Sequence, residues 1–203
     1  MRKLVKRVAL VALVVALFWC GTCIADRQKL REELIRLHVV ANSDSEADQN
    51  VKLQVRDAIV TSLREGMSDA ADVEQAKEYL QMHLPQLENL ANQVLQEAGF
   101  TETAVVSLDL ECFSTRIYDT FSLPSGVYES LRVTIGEGTG QNWWCVVFPE
   151  LCLPTTAEGV ENVAVSSGFP DSLTGALTGE EEYQIRFFFL DCLGKLENFF
   201  KQL

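Results

Sequence analysis

The chain has 203 residues, 47% of them apolar, and a formal charge of −12, a length that suits one domain with a short appendage. The first 25 residues carry +4 through Arg2, Lys3, Lys6 and Arg7, so the remainder, from Asp26 on, carries −16. That balance argues against nucleic acid as a partner, which needs a basic footprint, and against broad adhesion to anionic membrane surfaces.

The four cations precede an unbroken apolar run from Val8 to Trp19, and the sequence Cys20-Gly21-Thr22-Cys23-Ile24-Ala25 follows. A basic start, an apolar stretch and a C-x-A ending have the form of a secretory signal. Counted through Ala25, the apolar segment is also of borderline length for a membrane span, so a cleaved signal and an uncleaved anchor both fit. In either case the charge bias keeps the N-terminus inside and sends the rest outward, with membrane contact only through this segment. Residues 26–34 (DRQKLREEL) read as a short helix or spacer.

Ile35–Ala41 is β-branched and apolar, hence a strand. Asn42-Ser43-Asp44-Ser45 is turn chemistry, with Ser43 and Ser45 as competing N-caps and Asp44, Glu46 and Asp48 around a first helical turn. Val51, Val55, Ala58 and Ile59 then recur at helical spacing up to Gly66. A second helix starts after Ser68-Asp69 and closes at Ala98-Gly99, with Pro85 expected to kink or split it. From Val106 the period changes to two, giving strands at 106–112 and 131–135, with 115–120 as a hairpin partner. Trp143–Phe148 is a fully apolar strand. Residues 154–182 read as a mobile loop, Tyr183–Phe189 as a last strand and Leu190–Leu203 as a short helix. The order implies an α+β fold, a mainly antiparallel sheet packed against two to three helices, preceded by the signal or anchor helix. The domains would be residues 1–25 and a single exported unit, 26–203.

Candidate chemistry is sparse. Asp44-x-Glu46-x-Asp48 has the start of a calcium loop, but Gln49 stands where that loop needs Gly and Val55 where it needs Glu. Helix capping accounts for the same residues without a ligand. His38 and His83 have no zinc-type spacing to cysteines. Gly136, Gly138 and Gly140 follow a strand, yet lead into another strand rather than the helix N-terminus a phosphate loop requires, so a hairpin or bulged connection fits better. No cofactor is expected. Cys145 with His38 is the one imaginable nucleophilic pair, and nothing local supports it. The four cysteines beyond the signal, Cys112, Cys145, Cys152 and Cys192, permit disulfides in an exported domain; Cys145–Cys152 is the candidate bridge, and buried free thiols are the alternative.

Two stretches together resemble a known family. LIRLHVVANSDSEADQNVKLQVRDAI (34–59) and LPSGVYESLRVTIGEGTGQNWWCVVFPELC (123–152) are similar, in order and spacing, to the signature segments of the stage II sporulation protein R family of endospore formers. The resemblance implies a non-enzymatic signalling protein, secreted from the forespore into the intermembrane space or anchored there. Its implied partner is a membrane-embedded sporulation aspartic protease of the SpoIIGA type, which processes pro-sigma-E. An activator must bind one state of its target better than another. The candidate receptor surface is the turn Asn42, Asp44 and Asp48 with Gln49, Lys52 and Arg56, expected to be exposed, together with Asn142, Trp143 and Trp144, one of which would be an aromatic anchor. The alternative is an envelope-associated binding module or a hydrolase using Cys145.

Overall fold

A computed structural model describes residues 1–149 and 157–202. The N-terminal apolar segment does not stop at Ala25. It runs without a break into the charged stretch behind it as one 32-residue helix, α1 (Arg2–Glu33). Its first half is exposed throughout, and it is long and apolar enough to cross a membrane, with a mean hydropathy of 2.5 over its best window. From Trp19 the helix meets the rest of the protein, burying Cys23, Asp26 and Leu30. Of the two readings of 26–34, short helix or spacer, the helical one holds up to Glu33, as the continuation of the apolar helix rather than a separate one.

The strand β1 (Ile35–Val40) is buried at every position, as befits a central strand covered on both faces. It is followed by α2 (Glu46–Gly66) and α3 (Val73–Glu97), then β2 (Ala104–Phe113), the short β3 (Arg116–Ile117) and β4 (Ser122–Leu123), β5 (Gly126–Ile135) and β6 (Asn142–Phe148). The main sheet has the order β2-β5-β1-β6. β2 and β6 pair antiparallel with their neighbours, and β1 pairs parallel with β5. β3 and β4 form a separate small antiparallel pair. The fold is α+β with a mixed, mostly antiparallel sheet, as the sequence implies.

Alternation along β1 sends side chains to two different cores. Ile35, Leu37 and Val39 face α2 and α3, meeting Val55, Ile59, Leu80 and Leu87 in the larger core. Leu37, Ile59 and Leu80 are fully buried, so truncating any one to alanine costs about 2–5 kcal/mol. Pro85 neither splits α3 nor ends it: the residue lies on the exposed side of one continuous helix, where water can reach the carbonyl that loses its i→i−4 partner.

On the other face of the sheet the reading of 154–182 as a loop is corrected. α4 (Ala157–Ser166) and α5 (Asp171–Thr178) fill most of that segment. Val160, Ala164, Leu173 and Leu177 join Leu30, Phe113 and Val146 in a second core. The Thr, Ser and Gly content hid four apolar positions at helical spacing. The expected strand Tyr183–Phe189 is also corrected: after a 3₁₀ turn at Glu181–Tyr183, those residues open the helix α6 (Gln184–Lys201). A short apolar run cannot be assigned by periodicity alone, and its continuation decides it. Here the buried positions Leu190, Asp191 and Gly194 follow a helical repeat.

Polar ties fix α6 and α1 to the sheet. Asp191 accepts from Ser125 N at 2.8 Å and Thr115 Oγ1 at 2.5 Å, and pairs with Lys195 at 2.8 Å. Burial raises the Asp191 pKa, but the Lys195 partner and these hydrogen bonds outweigh it and bring it to about 2. Arg27 donates to the carbonyls of Ser125 and Leu190 and pairs with Glu197, while Arg186 pairs with Asp26.

Candidate functional site

Strand order determines where the two signature segments go. β5 and β6 are not neighbours, because β1 lies between them. The glycine-rich stretch 136–141 is thus not the expected hairpin or bulge. It arches over the C-terminal end of β1, onto the turn that links β1 to α2. Gly140 N donates to Ala41 O at 3.0 Å, Thr139 Oγ1 to Asn42 O at 2.7 Å and Glu137 N to Asn42 Oδ1 at 3.0 Å. The approach is close enough that a Cβ on Gly136 would collide with the Asn42 side chain, and one on Gly140 with the Ser43 carbonyl. Gly136 also has φ +57°, a left-handed conformation that glycine adopts without strain.

Within the turn, Ser45 wins the competition to cap α2, accepting from Asp48 N at 3.1 Å. Ser43 instead donates its hydroxyl to the Asp48 carboxylate, which also accepts from Asn42 Nδ2 at 3.2 Å. The Ser43 hydrogen bond is the main reason that the Asp48 pKa lies below the usual carboxylate range. Asp44 accepts from Gln141 N at 2.7 Å. Gln49 Nε2 donates to Ser43 O at 2.9 Å. Lys52 donates to Gln49 Oε1 at 2.6 Å and to Gln141 O at 3.0 Å. Two of the three carboxylates that suggested a calcium loop, Asp44 and Asp48, are thereby engaged by protein donors, while Glu46 is exposed in the first turn of α2. Among the described residues no group of three or more His, Cys, Asp or Glu side chains is placed to hold a metal.

The expectation that Lys52 is exposed fails: it is only 5% accessible, and that burial, followed by the nearby Arg56 charge, lowers its pKa. Asp48 is buried as well, whereas Asp44 and Asn142 are exposed and Gln49, Arg56, Trp143 and Trp144 are half-buried. Trp143 packs at the margin of the larger core with the Arg56 guanidinium 4.7 Å above its ring. Trp144 faces the opposite side of the sheet, stacked on His38 at 3.7 Å.

That stacking belongs to a polar cluster the sequence reading did not anticipate. His38 Nδ1 lies 3.1 Å from Glu111 Oε2, and its Nε2 lies 2.7 Å from Asn142 Oδ1. Glu111 also accepts from Ser130 Oγ at 2.5 Å and Arg132 Nη1 at 2.7 Å. Burial raises the Glu111 pKa, but the hydrogen bonds from His38 and Ser130 and the charge of Arg132 outweigh it, leaving it at about 2. The signal for this cluster was present as polar residues at alternate positions, Arg36 and His38 on one strand and Ser130 and Arg132 on another. Their convergence required knowing that these strands are adjacent and in register, His38 opposite Arg132 and Trp144.

The arrangement does not assemble the Cys145–His38 pair. Cys145 is in register with Leu37 and lies in the larger core, whereas His38 points to the opposite face. Cys145 is also disulfide-bonded, which denies it a thiolate. Cys20, Cys23, Cys112 and Cys192 are free thiols; Cys152 lies outside the described residues. The Ser130 hydroxyl is committed to Glu111 rather than to the imidazole.

No solved structure matches the chain. A curated protein of Bacillus subtilis (strain 168), "Stage II sporulation protein R", is 34% identical over 128 residues, covering 63% of this chain and 57% of that protein. The chain thus matches less than two thirds of the length of that relative. The family model for stage II sporulation protein R matches residues 31–158, from the end of α1 to the start of α4. Both halves of the turn-and-loop clasp and the whole His38 cluster lie inside that span, and the chain belongs to the stage II sporulation protein R family.

Proposed function

We propose that this protein is an exported signal of endospore formation, delivered from the forespore into the intermembrane space. There it binds a membrane-embedded aspartic protease and promotes its processing of pro-sigma-E. It carries no chemistry of its own in this reading. The N-terminal helix supplies delivery: four cations before an apolar segment hold the N-terminus inside and direct the folded part outward.

The observation that carries the reading is the convergence of two distant signature segments on one rim of the sheet. Lys52, Asp48 and the glycines lock that rim from within. Arg56, Trp143 and Asn142 stand on its outside. A rigid arginine–tryptophan pair beside polar groups is the composition of an interface hot spot. Preorganisation by the clasp lowers the ordering cost of binding.

The test is co-expression of the full chain with the protease and its pro-factor in a non-sporulating host. Cleavage that requires this chain supports the proposal; equal cleavage with and without it refutes it.

A further inference from the structure

A second site lies on the opposite face of the sheet. A cavity of about 540 Å³ opens between β3, the end of β2 and the last turns of α6, a size in the range of ligand pockets. Arg116, Trp144, Lys195, Asn198 and Phe199 line it, and none of its lining residues is acidic. For a protein of net charge −12 this is an unusual local balance.

Arg116 is the centre of the argument. Its guanidinium lies 4.7 Å above the Trp144 ring. Its Nε is buried without a hydrogen-bond partner, and no described carboxylate pairs with it. Behind it, Arg36 is fully buried, with Nε and Nη1 also unpartnered. Arg36 donates only to Tyr118 OH, at 3.2 Å, and stacks 3.9 Å from the Phe113 centroid. Asp191, which accepts from the cavity residues Thr115 and Ser125, is paired with Lys195, and Glu111 is committed to His38 and Arg132. Two guanidiniums without a counterion among the described residues leave a positive potential in a partly desolvated place, where a charge-assisted bond is stronger than in water.

We infer that this cavity binds an acidic peptide segment, with a carboxylate accepting from the Arg116 fork while an adjoining apolar side chain packs on Trp144 and Phe199. A peptide is favoured over a small inorganic anion by the surroundings. Phe199 is 59% exposed, and the half-buried Trp144 lines the cavity with it. An inorganic ion has no use for these apolar surfaces, whereas an acidic residue flanked by an apolar one satisfies both. The inference does not depend on the protease reading, because it concerns a different face and a direct binding event.

The experiment uses the full chain in neutral detergent micelles, observed by NMR at the Arg116 Nε–H and the Trp144 indole N–H. The probes are a blocked tetrapeptide, acetyl-Gly-Glu-Phe-Gly-amide, its glutamine analogue, and inorganic phosphate. Saturable shifts of both signals by the glutamate peptide, with the glutamine analogue and phosphate weaker by about tenfold or more, are expected. Arg116→Gln should abolish the response, while Arg116→Lys keeps the charge without the fork and retains part of it. Equal binding of the two peptides, equal or tighter binding of phosphate, or no shift with the glutamate peptide would each overturn the inference. The peptide comparison on the unaltered protein decides the matter even if a variant fails to fold.

Discussion

Lys52 and Gln141, 89 positions apart, are joined by a hydrogen bond of 3.0 Å from the Lys52 ammonium to the Gln141 carbonyl. The contact closes the clasp between the α2 turn and the arch over β1. Lys52→Met keeps the apolar stem but leaves the Gln141 carbonyl and Gln49 Oε1 without their donor. A loss of about 1–3 kcal/mol is expected, read as a lower denaturant midpoint at unchanged slope. A variant with unaltered stability would show that water replaces the ammonium.

The arch has a steric counterpart to this polar tie. A methyl on Gly140 would meet the Ser43 backbone carbonyl, which cannot rotate away as a side chain would. Gly99, at φ +80°, has open space around it, so alanine there meets only conformational strain, of about 1 kcal/mol. Gly140→Ala is therefore expected to destabilise by more than Gly99→Ala, by roughly 1–3 kcal/mol. Thermal unfolding of the pair checks the order.

These two sites show what the sequence made legible and what it did not. Helical spacing placed the end of α2 at Gly66, and turn chemistry narrowed its cap to Ser43 or Ser45, since those signals are local. The two signature segments were also visible as words. Their meeting was not, because it follows from β1 lying between β5 and β6, a non-local fact with no local signature. The same ignorance made Lys52 look exposed: a lysine four residues after Asp48 has the pattern of a surface pair, and only the arch covers it. At the other end, α4 and α5 were missed because their apolar residues are few, and their helical form is stabilised by the second core rather than by propensity; of α6 the stretch from Leu190 on was legible as a helix, while its aromatic first turns looked like a strand.

Separating fold from recognition calls for a variant outside the clasp. Arg56 makes its ion pair with neighbouring Asp57 and covers Trp143, with no tie to the arch. Arg56→Glu is expected to shift stability by less than about 1 kcal/mol. If the rim contacts the protease, pro-factor cleavage in the co-expression assay should fall by at least about tenfold, the loss of a charged hot-spot contact. A stable variant with full cleavage removes Arg56 from the interface.

The cysteines admit a direct count. Cys145 is bonded and four others are free, in a chain with six. If the pairing the sequence suggests, Cys145 with Cys152, is the bridge, thiol labelling of the unreduced, denatured protein modifies Cys20, Cys23, Cys112 and Cys192 and spares Cys145 and Cys152. Modification at all six positions would refute a Cys145–Cys152 bridge. Reduction should weaken the fold by about 2–3 kcal/mol through the short loop it releases.

Acid should unfold the protein through two carboxylates on the α6 side of the sheet. Glu111 drops from an ordinary 4.5 to about 2 and Asp191 from 3.8 to about 2 in the folded state. Because both folded values lie below the unfolded ones, the unfolded chain binds protons first as pH falls. Their contribution is complete above about pH 5 and is lost progressively toward pH 2. The melting temperature should fall across that window, and Glu111→Gln should both lower it at pH 7 and flatten its dependence between pH 5 and 2. The residual slope then belongs to Asp191 and the remaining acids, and Asp191→Asn on the same background should reduce it further. A melting temperature that is level from pH 5 to pH 3 would show that neither carboxylate is held by its partners in solution.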